Sequence, residues 1–430
     1  MFSIHSTRVI VGGALLASLA FAACSPAATP TPAPRPTQLI AATPTAVPAQ
    51  PTATAVLPPP TPVVLSSATK AAGLRVALDR LLEEHVLLAS STTAAALANR
   101  TKEFEAAAAA LDTNSVDLAK TFGAIYGADA EKNFLAAWRK HIGFVVDYTT
   151  GVAKKDKAAQ DKAISNLNAY ADDFGTLIAA LNPNLPKAAV AELFREHIKT
   201  LKAVIDAQAA GDYAKAYAAL GTAFDHMSDL AKGFAGGIAL QFPDKFDGSV
   251  EAGGANLRSG LTSAFDAHVY LLNLATAAGF GGRDADFKAA AASLDASSAN
   301  LGQAISFVYG DAAGNAFLPL WRKHIGFVMD YTGALAIKDK AKQDQALSAL
   351  NAYADDFGAF LNSASPALPK AAVSDLVRTH ILTLKEMIDA QAAGDYAKAY
   401  PALRKAYAHM SAIADPLADA IVKQFPDKFK

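Results

Sequence analysis

WRKHIGFVVDYT at Trp138–Thr149 returns as WRKHIGFVMDYT at Trp321–Thr332, 183 residues later, with eleven of twelve positions unchanged. The same displacement carries DAQAAGDYAKAY from Asp206–Tyr217 to Asp389–Tyr400 and NAYADDFG from Asn168–Gly175 to Asn351–Gly358. It also carries QFPDKF from Gln241–Phe246 to Gln424–Phe429. The chain is therefore a tandem duplication of one module. Within the opening stretch, Trp138, His141, Val145 and Tyr148 extend the face begun by Phe134, at the spacing of one side of a helix. Leu74, Leu78, Leu81, His85 and Leu88 make a second such stripe, and Val190, Phe194, His197, Leu201 and Val204 a third.

No alternating strand pattern of useful length interrupts these stripes. They predict helices near 70–90, 101–125, 129–153, 157–181, 187–210 and 212–241, repeated in the second copy. The punctuation agrees. Gly127 and Gly310 follow helix ends, Pro186 and Pro369 open helices, and Gly211-Asp212 and Gly394-Asp395 read as a stop followed by an N-cap. Pro401 and Pro416, which the first copy lacks, predict a kink in the last helix. Short connections favour antiparallel neighbours. The fold class is all-α: two tandem homologous up-and-down helical bundles of about six helices each, at 68–249 and 250–430, joined through Asp247–Asn256.

Residues 1–23 read as a lipoprotein signal peptide. Val9–Phe21 is an apolar run of signal-peptide length after Arg8, too short to span a bilayer comfortably. Phe21-Ala22-Ala23-Cys24 then resembles a lipobox, with Phe21 where Leu is usual. The resemblance implies lipid attachment at Cys24 and a lipid bilayer as partner, with the chain held at the cell membrane on its extracytoplasmic side. The competing reading is a plain secretory signal and a free thiol. Cys24 is the single cysteine, so no intrachain disulfide can form. Residues 24–67 hold twelve of the 21 prolines among Ala and Thr, the composition of an extended tether. A net charge of −1, from 39 basic and 40 acidic residues, leaves no electrostatic footprint for nucleic acid.

The nine histidines carry the chemistry. His5 lies in the signal, and the other eight form two related sets: His85, His141, His197 and His226, then His268, His324, His380 and His409. Between Asp79–Ser90 and Thr262–Asn273 only His85, Val86 and Leu88 survive in the copy, so the histidine persists where its surroundings have drifted. Around the last site, AFDHMSDLAKGF has become AYAHMSAIADPL, yet His226 and Met227 persist as His409 and Met410. Imidazoles on facing helices can meet inside a bundle, and all-nitrogen ligation suits Zn²⁺ or Cu²⁺, while an imidazole pair can hold haem iron. The plainer alternative is four hydrogen-bonded core histidines per module.

Several chemistries are excluded. No histidine has Glu three places before it, as di-iron bundles require, and His-Glu-x-x-His and Cys-x-x-Cys-His are absent. Phosphate-cradling loops and Gly-x-Ser-x-Gly are missing, and Gly279–Gly282 reads as a turn. Trp138 and Tyr148 share the face of His141 and are candidates to wall a site, although such residues are more often simple core. Asp147 and Asp330 point away from it by helical angle, and Met227 and Met410 lie about 100° round the helix from the adjacent histidine.

The motifs around His85, Trp138–Tyr148, Asp206–Tyr217 and Gln241–Phe246 resemble an uncharacterised duplicated helical repeat of exported bacterial lipoproteins, loosely associated with copper amine oxidase-like labels. The Asn-Tyr-Asp/Glu setting of that oxidase's quinone cofactor is absent, so no oxidase activity is carried over. The expectation is a membrane-anchored, non-enzymatic protein binding Zn or Cu through one histidine set per repeat, for sequestration or handover. A structural or interaction repeat and a b-type haem electron carrier are the alternatives.

Overall fold

The computed structural model describes residues 67–429, so the signal peptide, Cys24 and nearly all of the tether lie outside the described residues. Twelve α-helices and a terminal 3₁₀ turn, and no strand, make up the described residues. The first repeat supplies α1 (Lys70–Leu97), α2 (Thr101–Tyr126), α3 (Ala128–Ala153), α4 (Lys157–Leu181), α5 (Lys187–Ala210) and α6 (Tyr213–Gln241). The second supplies α7 (Gly253–Phe280), α8 (Asp284–Tyr309), α9 (Asp311–Ala336), α10 (Lys340–Ala364), α11 (Lys370–Ala392) and α12 (Tyr396–Gln424).

Local chemistry sets these bounds. Asp156, Asp212, Asp339 and Asp395 are N-caps whose carboxylates accept from the amide three residues on, satisfying a donor the helix cannot. Gly211 ends α5 at φ 69°, a left-handed conformation in which a Cβ is strained. The one clear departure is α1, which runs seven residues beyond its expected end at 90. Ser90–Thr93 has no breaker, and Thr92 Oγ1 bonds back to the Leu88 carbonyl at 2.7 Å, so the hydroxyls stay inside the helix wall. α12 continues as helix through Pro401 and Pro416.

Within each repeat every helix packs on the next, and the last returns to the first: α6 lies against α1, and α12 against α7. The result is a closed ring of six. Alternate helices also meet across its middle, α1, α3 and α5 in one ring and α7, α9 and α11 in the other. That inner trio places three stripes, those of His85, His141 and His197, around one axis.

The rings join along α1 and α7, with α2 against α12 and α6 against α8. The join is polar at its centre. Glu83 and Asp266, which are repeat equivalents, are both fully buried there. Glu83 accepts from Ser263 at 2.6 Å, while Asp266 meets Arg80 at 3.3 Å. Arg404 grips Glu84 through two bonds of 2.9 Å and reaches Asp117 at 3.0 Å. Each ring nevertheless closes on its own helices. Residues 68–249 and 250–430, expressed separately, should each show cooperative helical unfolding by circular dichroism. Loss of cooperativity in both halves would mean that neither ring stands without the other.

Candidate metal centre

His85 on α1, His141 on α3 and His197 on α5 come together in the first ring, and His268, His324 and His380 do so in the second. In each group one ring nitrogen from every histidine lies within 4.8 Å of the others, and all six residues are buried. The closest pairs are His85 Nε2 to His141 Nε2 at 3.4 Å and His268 Nε2 to His324 Nε2 at 3.2 Å. Three nitrogens at tetrahedral positions ~2.0–2.1 Å from an ion are about 3.3 Å apart. Two of the three therefore already stand at ligand spacing, and the third is within reach of a small side-chain adjustment.

An aromatic wall holds the rings. Trp138 meets His85 and His141 edge-on, with centroids 4.9 and 4.7 Å apart, and Phe134 stacks on Trp138 at 5.2 Å. Tyr170 covers His141 at 5.3 Å. Trp321 and Tyr353 repeat the arrangement in the second ring, at 4.8 Å from His268 and 4.9 Å from His324. Tyr148 is not part of this wall's hydrogen bonding, since its hydroxyl donates to Asp206 at 2.6 Å. Asp147 and Asp330 are exposed, and Met227 is core.

Apolar walls make a charged imidazole costly. Burial pushes His85 and His380 down to about 3 and His324 to about 4. It also holds His141, His197 and His268 well below 6.5, with the neighbouring imidazoles adding to the effect. The rings are thus neutral at physiological pH, each with a lone pair to give. Nδ1 of all six is buried without a hydrogen-bond partner, as is Nε2 of His197. The Trp138 and Trp321 carbonyls, three residues back, oppose the downward shift at His141 and His324 without reaching bonding geometry. A buried polar group left unpaired costs ~1–3 kcal/mol, and these Nδ1 atoms lie away from the Nε2 atoms that converge in the closest pairs.

The four-histidine set of the sequence becomes a three-histidine set. His226 and His409 sit on the outer helices α6 and α12. Their Nε2 atoms lie 2.8 Å from the Leu193 carbonyl and 2.9 Å from the Leu376 carbonyl. A carbonyl can only accept, so in both rings Nε2 carries the proton and is not free to ligate. His226 Nδ1 is turned toward Asp229, 4.0 Å away. The sequence did hold a signal for this division. His85, His141 and His197 are spaced 56 residues apart, two helices and two turns, whereas His226 follows His197 by only 29. Equal spacing returns each residue to the same level on every second helix, which here is the inner trio.

A b-type haem does not fit. The macrocycle would need a wide slot between two imidazoles, and here the nitrogens are 3.4 Å apart with Trp138 against both rings. A larger cavity, about 790 Å³, lies elsewhere, at one end of the join between repeats. Its polar groups already satisfy one another: Arg100 holds Glu103 at 2.7 Å, Arg283 holds Asp286 at 3.0 Å, and Tyr217 donates to Asp286 at 2.9 Å. Size alone therefore does not make it the better site. No family model, curated protein or solved structure matches this chain.

Proposed function

We propose that the protein binds a transition metal, Zn or Cu, one ion in each repeat, through His85, His141 and His197 and through His268, His324 and His380. The observation that carries this reading is the convergence of ring nitrogens from three neutral, buried imidazoles to within 4.8 Å, made twice in one chain. Three neutral nitrogens suit borderline ions such as Zn²⁺ and Cu²⁺. No carboxylate lies in either group, and none contributes to the shifts of the six histidines. The role we propose for these ions is sequestration or handover. Elemental analysis after gentle purification tests it: two equivalents of one metal are expected, and a metal-free chain that also fails to take up Zn²⁺ or Cu²⁺ in dialysis would leave a structural or interaction repeat.

The same proposal places the rings outside the cell, tethered to the membrane through acylated Cys24. No described helix is long and apolar enough to cross a bilayer; the proposed anchor is the acylated cysteine. The variant Cys24→Ala should leave the membrane fraction. If it still pellets after a high-salt wash, the lipid anchor is wrong.

A further inference from the structure

A cavity of about 120 Å³ opens against the first metal centre, bounded by α1, α2 and α3 and by Leu201 of α5. His85 and His141 form its inner wall, Ala89 and Thr92 line one side, Arg139 paired with Asp112 at 2.7 Å stands at another, and Val146, 43 % exposed, stands toward solvent. The volume holds several small molecules of the size of water and no large ligand. Its position matters because three histidines leave a metal ion coordinatively unsaturated, and an open fourth position takes water or another small ligand.

Charge decides which ligand. Three neutral imidazoles leave a divalent ion with its full charge in an apolar pocket walled by Trp138, Phe134 and Tyr170. An uncompensated charge there is expensive, and no side-chain carboxylate reaches the group to offset it. Compensation comes from a small anion in the fourth position: hydroxide from a bound water, or an exogenous anion that displaces it.

The second repeat differs at this place. The counterparts of Ala89 and Val146, 183 residues on, are Leu272 and Met329, both larger, and the counterpart of Thr92 is Ala275. Leu272 is fully buried and Met329 packs on the core. Larger side chains therefore stand where Ala89 and Val146 leave space in the first ring, and the second centre has a smaller cavity of about 30 Å³ on another side, beside His324 and His380.

We infer that the first centre, once loaded, accepts a small exogenous anion as its fourth ligand through the cavity beside Ala89 and Val146, and that Leu272 and Met329 close the equivalent approach to the second centre. The inference rests on the metal reading above, and it makes the two centres functionally unequal: one able to exchange an anion through this approach, and so to pass its ion on, the other without that approach.

The test uses the full chain loaded with Co²⁺, whose visible bands report coordination, and azide as the anion. Two cobalt equivalents and a spectral change that saturates at one azide per chain are expected. Ala89→Leu should abolish the azide response while keeping both cobalt ions. Val146→Met, a change at a partly exposed position that leaves the fold intact, should weaken azide binding several-fold. Leu272→Ala should add a second azide. Two cobalt ions with no azide response, or with equal response at both centres, would overturn the inference and leave the metal reading standing. A chain that takes up no cobalt, zinc or copper would overturn both.

Discussion

Replacing His141 with Ala should halve the metal content of the protein, from two ions to one, while His226→Ala should leave both in place. His141 Nε2 faces His85 Nε2 at 3.4 Å within the three-histidine group, whereas His226 is committed through Nε2 to the Leu193 carbonyl. An ion that binds only the folded chain stabilises it by RT ln(1 + [L]/Kd), ~2.7 kcal/mol per site at a hundredfold excess over Kd. With two sites the gain is about 5 kcal/mol, enough to raise the melting temperature by several degrees. His141→Ala should lose about half of that gain, and His141→Ala with His324→Ala all of it. His226→Ala should lower the melting temperature by the same amount with and without metal, because it removes a hydrogen bond and packing and no ligand. Calorimetry with and without Zn²⁺, paired with dialysis and elemental analysis, reads both effects. If His226→Ala costs as much metal as His141→Ala, the three-ligand centre is wrong.

Mild acid should unfold the metal-free protein. In the unfolded chain each histidine takes up its proton near pH 6.5. In the folded chain His85 and His380 wait until about 3 and His324 until about 4, and the other three are also held well below 6.5. Across that window protons bind the unfolded state better. The stability these six contribute is complete above pH 6.5 and is lost as pH falls toward their folded values. Each such group costs ~1.4 kcal/mol per pH unit. Three buried acids at the join between repeats work the other way. Burial raises Asp79, Glu83 and Asp266, so their contribution is largest in acid and falls as pH rises through their folded values. The six histidines outnumber the three acids, so the balance is a loss of stability as pH falls through this window, and the total stability it draws on is only on the order of 5–15 kcal/mol. Far-UV circular dichroism should show unfolding between pH 6 and 4. A stability that stays flat or rises between pH 6.5 and 5 would show that the histidines are already charged, or already solvated, in the fold.

Much of the architecture is written in short-range terms. The duplication, the 3.6-residue stripes and the caps Asp156, Asp212, Asp339 and Asp395 each depend on a few neighbouring residues, so helix positions followed from the chain alone. Where this failed, at the end of α1, a long-range environment had overruled a local reading: Thr93 donates to Gln208 on α5, at 2.8 Å, which supports a stretch with little helical preference of its own. The identity of the histidines as a set was also visible, since each falls in an apolar stripe. Which of them meet was not. The stripes look alike in one dimension, as does the persistence of His226 beside Met227, and only closure of the ring, α6 returning to α1, makes α1, α3 and α5 inner helices and α6 an outer one. That closure brings three imidazoles to within 4.8 Å and turns His226 onto a carbonyl instead. The sequence by itself determined that the protein is two copies of one helical module bearing buried histidines. Tertiary packing decided that three of every four face one another, because the distance between ring nitrogens depends on where helices 56 residues apart come to lie.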